Sequence, residues 1–231
     1  MRLTALALAC VLGFVVVAPE TYAPARYRAG TVPGLPAMVV GGGQVILELA
    51  IDRGGRVTAV TTLRTTPPFT DLVAGAVRDW QFVPAAGPAG AARGGERQPQ
   101  TAVPSKVLVA AVFRPPAMNA PTLGEPGRDV APASAESAFP LTTVMPPFPP
   151  SAAAGGVVLL EARVDRSGQV GETRVIQSAP PFDDAALATL KQWSFRPARV
   201  RGRPVSTVAY VLFGFPVPVG SAIKMLPDGR R

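Results

Sequence analysis

The chain of 231 residues contains no histidine. That removes the Ser-His-Asp triad, the imidazole general base and the usual zinc sites together. Its one cysteine, Cys10, lies at the extreme amino terminus, so neither a disulfide framework nor a thiol nucleophile is available to the body of the chain. Lysine is scarce: Lys106, Lys191 and Lys224 are the only lysines among 23 basic residues. Aromatic residues make up 6% and are not interleaved with the scattered charges, which argues against stacking on nucleic acid. No enzyme, no metal and no cofactor is expected. What remains is binding, transport or structural work.

What is present sets the organisation. Hydrophobic residues at 48% are enough for a real core, while 27 prolines and 23 glycines demand several loops or linkers. The net charge of +8 rests almost entirely on arginine and reads first as solubility, with an anionic partner as the alternative. Arg2 is followed by an apolar stretch, residues 3–18, broken only by Thr4. As a helix it would rise about 24 Å, short of a hydrocarbon core of about 30 Å. It suits the apolar region of a secretory signal, with Ala23-Pro24-Ala25 offering small residues before a cut at Arg26. The alternative is an uncleaved single-span anchor. Either way the residues from about 26 onward lie outside the cytoplasm.

Self-similarity organises the rest. With a shift of 113, residues 33–85 overlie 146–198 without a gap, and 19 of the 53 positions are identical. Glu48, Asp52, Arg53 and Gly55 meet Glu161, Asp165, Arg166 and Gly168; Pro67-Pro68-Phe69 meets Pro180-Pro181-Phe182. Trp80, Phe82 and Pro84 meet Trp193, Phe195 and Pro197. In each copy an alternating run (Val45, Leu47, Leu49, Ile51; Val158, Leu160, Ala162, Val164) predicts a strand. Asp52-Arg53-Gly54-Gly55 and Asp165-Arg166-Ser167-Gly168 then supply a hairpin turn. The second strand carries Val57 and Val60, or Val170 and Thr173, at an odd spacing that predicts a β-bulge. Thr70 or Asp183 is the expected N-cap of a helix leading to the tryptophan. A closing strand, Lys106–Phe113 or Val205–Phe215, completes the unit.

The expected fold is therefore α+β: two small ββαβ modules, each a three-stranded antiparallel sheet with one helix on a face. The first spans 26–114, with a Gly/Ala/Arg-rich insertion at 86–103; the second spans 145–218 and has only a short link, Arg199 to Pro204, at the corresponding place. Residues 1–25 are the signal or anchor, 115–144 a Pro/Ala-rich linker and 219–231 a tail. The second module, with its own tryptophan, is expected to fold alone.

Several motifs have plain structural readings. Trp80 with Phe82 and Trp193 with Phe195 read as core anchors rather than a stacking platform. Asp52 and Asp165 each supply one carboxylate, far short of a calcium loop, and read as turn residues. Asp183-Asp184 suits a helix start better than acid–base work. Gly41-Gly42-Gly43 leads into a strand, so it is no phosphate loop. Pro146-Pro147-Phe148-Pro149-Pro150, like Pro33-Gly34-Leu35-Pro36-Ala37, reads as a lead-in to the fold.

Phe148-Pro149-Pro150, Gly156-Val157-Val158-Leu159-Leu160-Glu161, Val164-Asp165-Arg166-Ser167-Gly168, Trp193-Ser194-Phe195-Arg196-Pro197-Ala198 and Gly202-Arg203-Pro204-Val205 come in an order that resembles the C-terminal domain of TonB-family energy transducers. The likeness is strong over 146–215 and looser over 33–114. It implies a periplasmic module that binds an extended peptide of an outer-membrane transporter or other envelope protein beside its closing strand. The residues concerned are Val205, Ser206, Thr207, Val208, Ala209, Tyr210, Val211, Leu212 and Phe213. It also implies an inner-membrane motor as partner, although the Ser/His pair of motor-coupled members is absent from residues 3–18. The alternative for the peptide site is internal: Lys106–Phe113 pairs with the second closing strand in one continuous sheet. The alternative for the function is a structural module that holds anionic wall or outer-membrane polymer through Arg199, Arg201 and Arg203.

Overall fold

The structure, a computed structural model, describes residues 22–36, 41–88, 100–116 and 134–217. The apolar segment 3–18 and the tail 219–231 lie outside the described residues. In chain order the first part runs β1 (Arg26–Ala29), β2 (Gly43–Ile51), β3 (Val57–Arg64), α1 (Phe69–Val77), β4 (Gln81–Val83), β5 (Ala85–Pro88), β6 (Gln100–Val103) and β7 (Ser105–Phe113). The second runs β8 (Phe139–Thr142), β9 (Gly156–Val164), β10 (Val170–Gln177), α2 (Asp183–Leu190), β11 (Ser194–Arg196), β12 (Ala198–Val200), β13 (Arg203–Val205) and β14 (Thr207–Phe215).

The protein is mixed α+β, but the long strands do not form two separate sheets. They make one six-stranded sheet in the order β10-β9-β14-β7-β2-β3. The two closing strands lie side by side and parallel at its centre, Ala209 opposite Leu108 through Gly214 opposite Phe113. Every other neighbour in the sheet is antiparallel. The reason is legible in the side chains. Every residue of β14 is buried, as is β7 from Val107 to Phe113, so both carry apolar groups on both faces. A strand of that kind belongs inside a sheet covered on both sides. In a lone three-stranded sheet one of those faces would meet water.

The faces divide accordingly. α1 buries Phe69, Val73 and Val77 in a cluster with Leu47, Leu49, Val109 and Phe113, and also with Tyr210 and Leu212 from the second part. α2 buries Phe182, Ala186 and Leu190 in the cluster on the other face, with Leu160, Val211 and Phe213, and also Leu108 and Ala110 from the first. Parallel pairing of equivalent strands turns one set over relative to the other, which puts the helices on opposite faces. Phe69 stacks on Phe113 at 4.2 Å and Phe182 on Phe215 at 4.4 Å. Gly214 makes room at the seam: a Cβ there would lie 2.3 Å from the Phe113 ring.

Positions 113 apart occupy matching local structure. Asp52 Oδ1 accepts the Gly54 and Arg56 amides, and Asp165 Oδ1 those of Ser167 and Gln169. Gly55 and Gly168 follow at φ 81 and 87, with room only for hydrogen beside the carbonyls of Phe82 and Phe195. The ladders shift register within Val57–Ala59 and Val170–Thr173, where the bulge was expected. Trp80 and Trp193, each 1% exposed, donate their Nε1 hydrogens to Thr31 O and Val144 O, both at 2.9 Å.

Other expectations need correction. Thr70 and Asp183 do not cap their helices; each accepts a backbone amide four residues back, from Thr66 and Ala179, and so braces the preceding loop. The short link at Arg199–Pro204 is a hairpin, β12 with β13, and the insertion at 86–103 begins and ends in its counterpart, β5 with β6. Residues 115–144 are not all linker. β8 pairs with β11 as β1 pairs with β4, so the matching structure starts well before 145. A linker reading failed there because four residues are too few to show a period.

Replacing Trp193 with alanine should cost about 3–5 kcal/mol, as for large aromatic truncations in a core, and an unchanged urea midpoint would contradict its burial. The fragment 146–218 would expose one edge of β14 and uncover Val208, Tyr210 and Leu212. We therefore expect it to self-associate, contrary to the sequence expectation. A monodisperse monomer with a cooperative melt, by light scattering and circular dichroism, would overturn this.

Candidate interaction surfaces

The residues named for peptide capture lie in the middle of the sheet. Thr207 to Phe213 belong to β14, paired on one side with β9 and on the other with β7. Val205 lies in β13 and Ser206 between the two strands. The free edge expected on Val205–Phe213 is therefore absent from the full chain: Lys106–Phe113 fills it, as the internal alternative held. Unpaired edges belong instead to β10 and β3, the end strands of the sheet. Both consist mostly of exposed and half-buried residues, with Leu63 the buried exception, and carry register shifts, features that keep edges from indiscriminate pairing.

Trp80, Phe82, Trp193 and Phe195 are all buried, so none offers a ring to a ligand. Trp80 and Phe82 meet Tyr210 edge-on, at 5.9 and 5.8 Å, and tie the first part to the second. Pro84 and Pro197 lie beyond β4 and β11, where the chain turns into the minor hairpins.

The polar groups that sequence reading undervalued are Glu48 and Glu161. Equivalent by repeat, they are almost fully buried, at 5% and 4% exposure. Each lies on the strand, β2 or β9, that precedes the Asp-Arg turn, and its flanking residues face that part's helix while the carboxylate faces the other way. Glu161 takes Arg26 at 2.5 Å, Arg174 at 3.1 Å and the Tyr210 hydroxyl at 3.0 Å. Tyr210 in turn accepts the Tyr27 amide at 2.6 Å. Burial, then the charge of Glu161, pushes the Tyr210 phenol far above its ordinary range, so it remains a donor. Glu48 takes Lys106 at 3.1 Å and the hydroxyls of Ser134 and Ser137 at 2.6 and 2.5 Å. Burial works to raise the Glu48 pKa, yet the hydrogen bonds of Ser134, Ser137 and Lys106 and the Lys106 charge outweigh it and hold it below the usual range.

These contacts cross between the parts. The lead-in at Arg26–Tyr27 covers Glu161 of the second, and the lead-in at Ser134–Ser137 covers Glu48 of the first. The matching glutamates in the repeat were the available signal, but a glutamate in an alternating strand ordinarily reads as solvent-facing. Among the described residues no group of three metal-binding side chains comes together, and no helix is long and apolar enough to cross a membrane.

Residues 146–216 match the family model for the Gram-negative bacterial TonB protein C-terminal. That stretch, from the lead-in prolines through β14, is a TonB-family C-terminal domain. Such domains face the periplasm and interact with outer-membrane transporters. Among curated proteins, none matches the chain.

The Glu48 site gives a pH-dependent expectation. A carboxyl whose folded pKa is depressed adds stability above its unfolded pKa, and that stability is lost as pH falls through the folded value. Ser134→Ala with Ser137→Ala lifts the folded pKa. The urea midpoint should fall most near pH 7, and the gap from wild type should narrow as Glu48 protonates below about pH 4. A gap of constant size across that range would mean that the serines do not act through the Glu48 charge.

Proposed function

We propose that this protein is a periplasmic TonB-like binding protein, built of two tandem modules, that holds an extended segment of an outer-membrane transporter in support of energy-coupled transport. The observation that carries the reading is the match of residues 146–216 to the TonB C-terminal family. The first part serves as the packing partner of the second, and strand addition occurs at the outer edge of β10. Docking on Val205–Phe213 would first require β7 to leave its register from Ala209 to Gly214. The β10 edge requires no such opening, and main-chain pairing there leaves alternate side chains to choose the guest.

Proline at Thr173 and at Arg174 tests the edge, since adjacent amides in a strand point to opposite sides. The outward one should abolish capture of transporter peptides from an outer-membrane extract while the fold persists; the inward one should lower the urea midpoint. Arg174→Ala controls for the ion pair with Glu161. If neither proline weakens capture, β10 is not the docking edge.

Tyr22 to Ala25 favour the anchor alternative only in that they argue against a cut before Arg26. Ala23 exchanges two backbone hydrogen bonds with Ala86, at 2.8 and 2.9 Å, and Ala25 is 1% exposed. A cut before Arg26 would strip these contacts from the fold. Mass spectrometry of the mature protein should find residues before Tyr22 still attached; a start at Arg26 would end the anchor reading and the motor coupling that needs it.

A further inference from the structure

At the end of the sheet where β7 and β14 begin, a cavity of ≈ 600 Å³ opens between the two parts. That volume falls within the range of small-molecule sites, about 300–1,000 Å³. Its floor is apolar, with Ile51, Val103, Val200 and Pro204 among the lining. Its charge is one-sided: Arg166, Arg199, Arg201, Arg203 and Lys106 face two carboxylates, Asp52 and Glu136. Both carboxylates already have work. Asp52 holds the amides of its own turn, and Glu136 lies 3.9 Å from Lys106, which also pairs with Glu48. The four arginines are exposed. Arg199 uses one Nη1 hydrogen bond on Gly202 O, at 2.8 Å, and keeps its other donors.

The hairpin that carries three of them bears a second mark. β12 and β13 pair from Ala198–Val205 to Val200–Arg203, leaving Arg201-Gly202 as a two-residue turn with φ 51 and 78. Both values are left-handed, the geometry of a type I′ turn, for which Asn-Gly is the favoured pair. An arginine in the first place carries backbone strain that a glycine would not. It is the one non-glycine residue at positive φ among the described residues. Strain kept at a charged tip beside a cavity, where asparagine would relieve it, points to a role for the guanidinium.

We propose that this cleft binds a small ligand bearing two or more phosphate groups, held by Arg166, Arg199, Arg201 and Arg203. The guanidinium fork fits a phosphate with two parallel hydrogen bonds, and phosphate carries nearly twice the charge of a carboxylate, matching several arginines in one space. Nucleic acid fits poorly, because Tyr22 is the single aromatic on the lining. The site is composite. Arg166 and the arginine hairpin come from the second part, and Ile51 and Val103 from the first. None of its lining residues lies in β10, so peptide capture and phosphate binding can fail separately.

Titration calorimetry on the full chain at low ionic strength, with inorganic pyrophosphate as probe, tests this. Saturable one-to-one binding is expected, weakened about tenfold or more in Arg166→Ala/Arg203→Ala, with an unchanged thermal melt. Arg201→Asn should relieve the turn and raise the melting temperature while weakening pyrophosphate. Citrate is the control for carboxylate; tighter binding of citrate than of pyrophosphate would overturn the phosphate assignment. Flotation with phosphatidylglycerol vesicles separates a head-group source from a free one: release of vesicles by pyrophosphate assigns the same site to a lipid phosphate, and no flotation assigns it to a free phosphate. No saturable pyrophosphate binding, or equal binding by the double variant, overturns the proposal.

Discussion

The parallel seam between β7 and β14 is the contact on which the rest of the structure depends. It joins two strand sets whose outermost members would otherwise each show an apolar face and an open edge to water. Once the seam forms, each face of the central pair lies under structure contributed from both parts, and the helices must lie on opposite sides of the sheet. The seam also dictates which edges remain. A sheet closed at its centre can accept a guest strand only at its ends.

The two glutamates show how the seam is locked. A buried carboxylate without partners would be very costly, and Glu48 and Glu161 are each met by groups from both parts, Lys106 with Ser134 and Ser137 for one, Arg174 and Tyr210 with Arg26 for the other. Separating the parts would leave Glu48 with Lys106, and Glu161 with Arg174 and Tyr210. Their partners differ, two serines and a lysine on one side, two arginines and a tyrosine on the other, although the strands that carry them match. Equivalent positions in the two parts are thus met with different chemistry. β1 and the segment before β8 are part of this lock, and each lead-in is further fixed by a tryptophan whose indole hydrogen meets its backbone.

For function, the arrangement separates tasks by place. The middle of the sheet is structural, the ends are open for pairing, and the arginine-bearing hairpin overhangs a cleft at one end of the central strands. The family assignment belongs to the residues from the lead-in prolines to the end of β14, and the first part shapes the environment in which that domain works.

Much of the fold was legible in the sequence because it is local. Period-two alternation predicted the β2 and β9 strands, the Asp-Arg-x-Gly runs predicted the turns, and the shift of 113 related one part to the other. The buried tryptophans also followed from their place between helix and strand. Tertiary structure alone decided which edges meet. A continuous apolar run such as Val208–Phe213 is compatible with an edge awaiting a guest or with a strand buried on both faces, and only the presence of a second such run, in register and parallel, resolves it. The same holds for Glu48 and Glu161. Their chain neighbours give no sign of burial, because the groups that neutralise them lie 58 to 135 residues away, apart from Arg174 and Tyr210. The free edge expected on the closing strand is occupied for that reason: local sequence specifies a strand, while what lies beside it is set by the faces that must leave water.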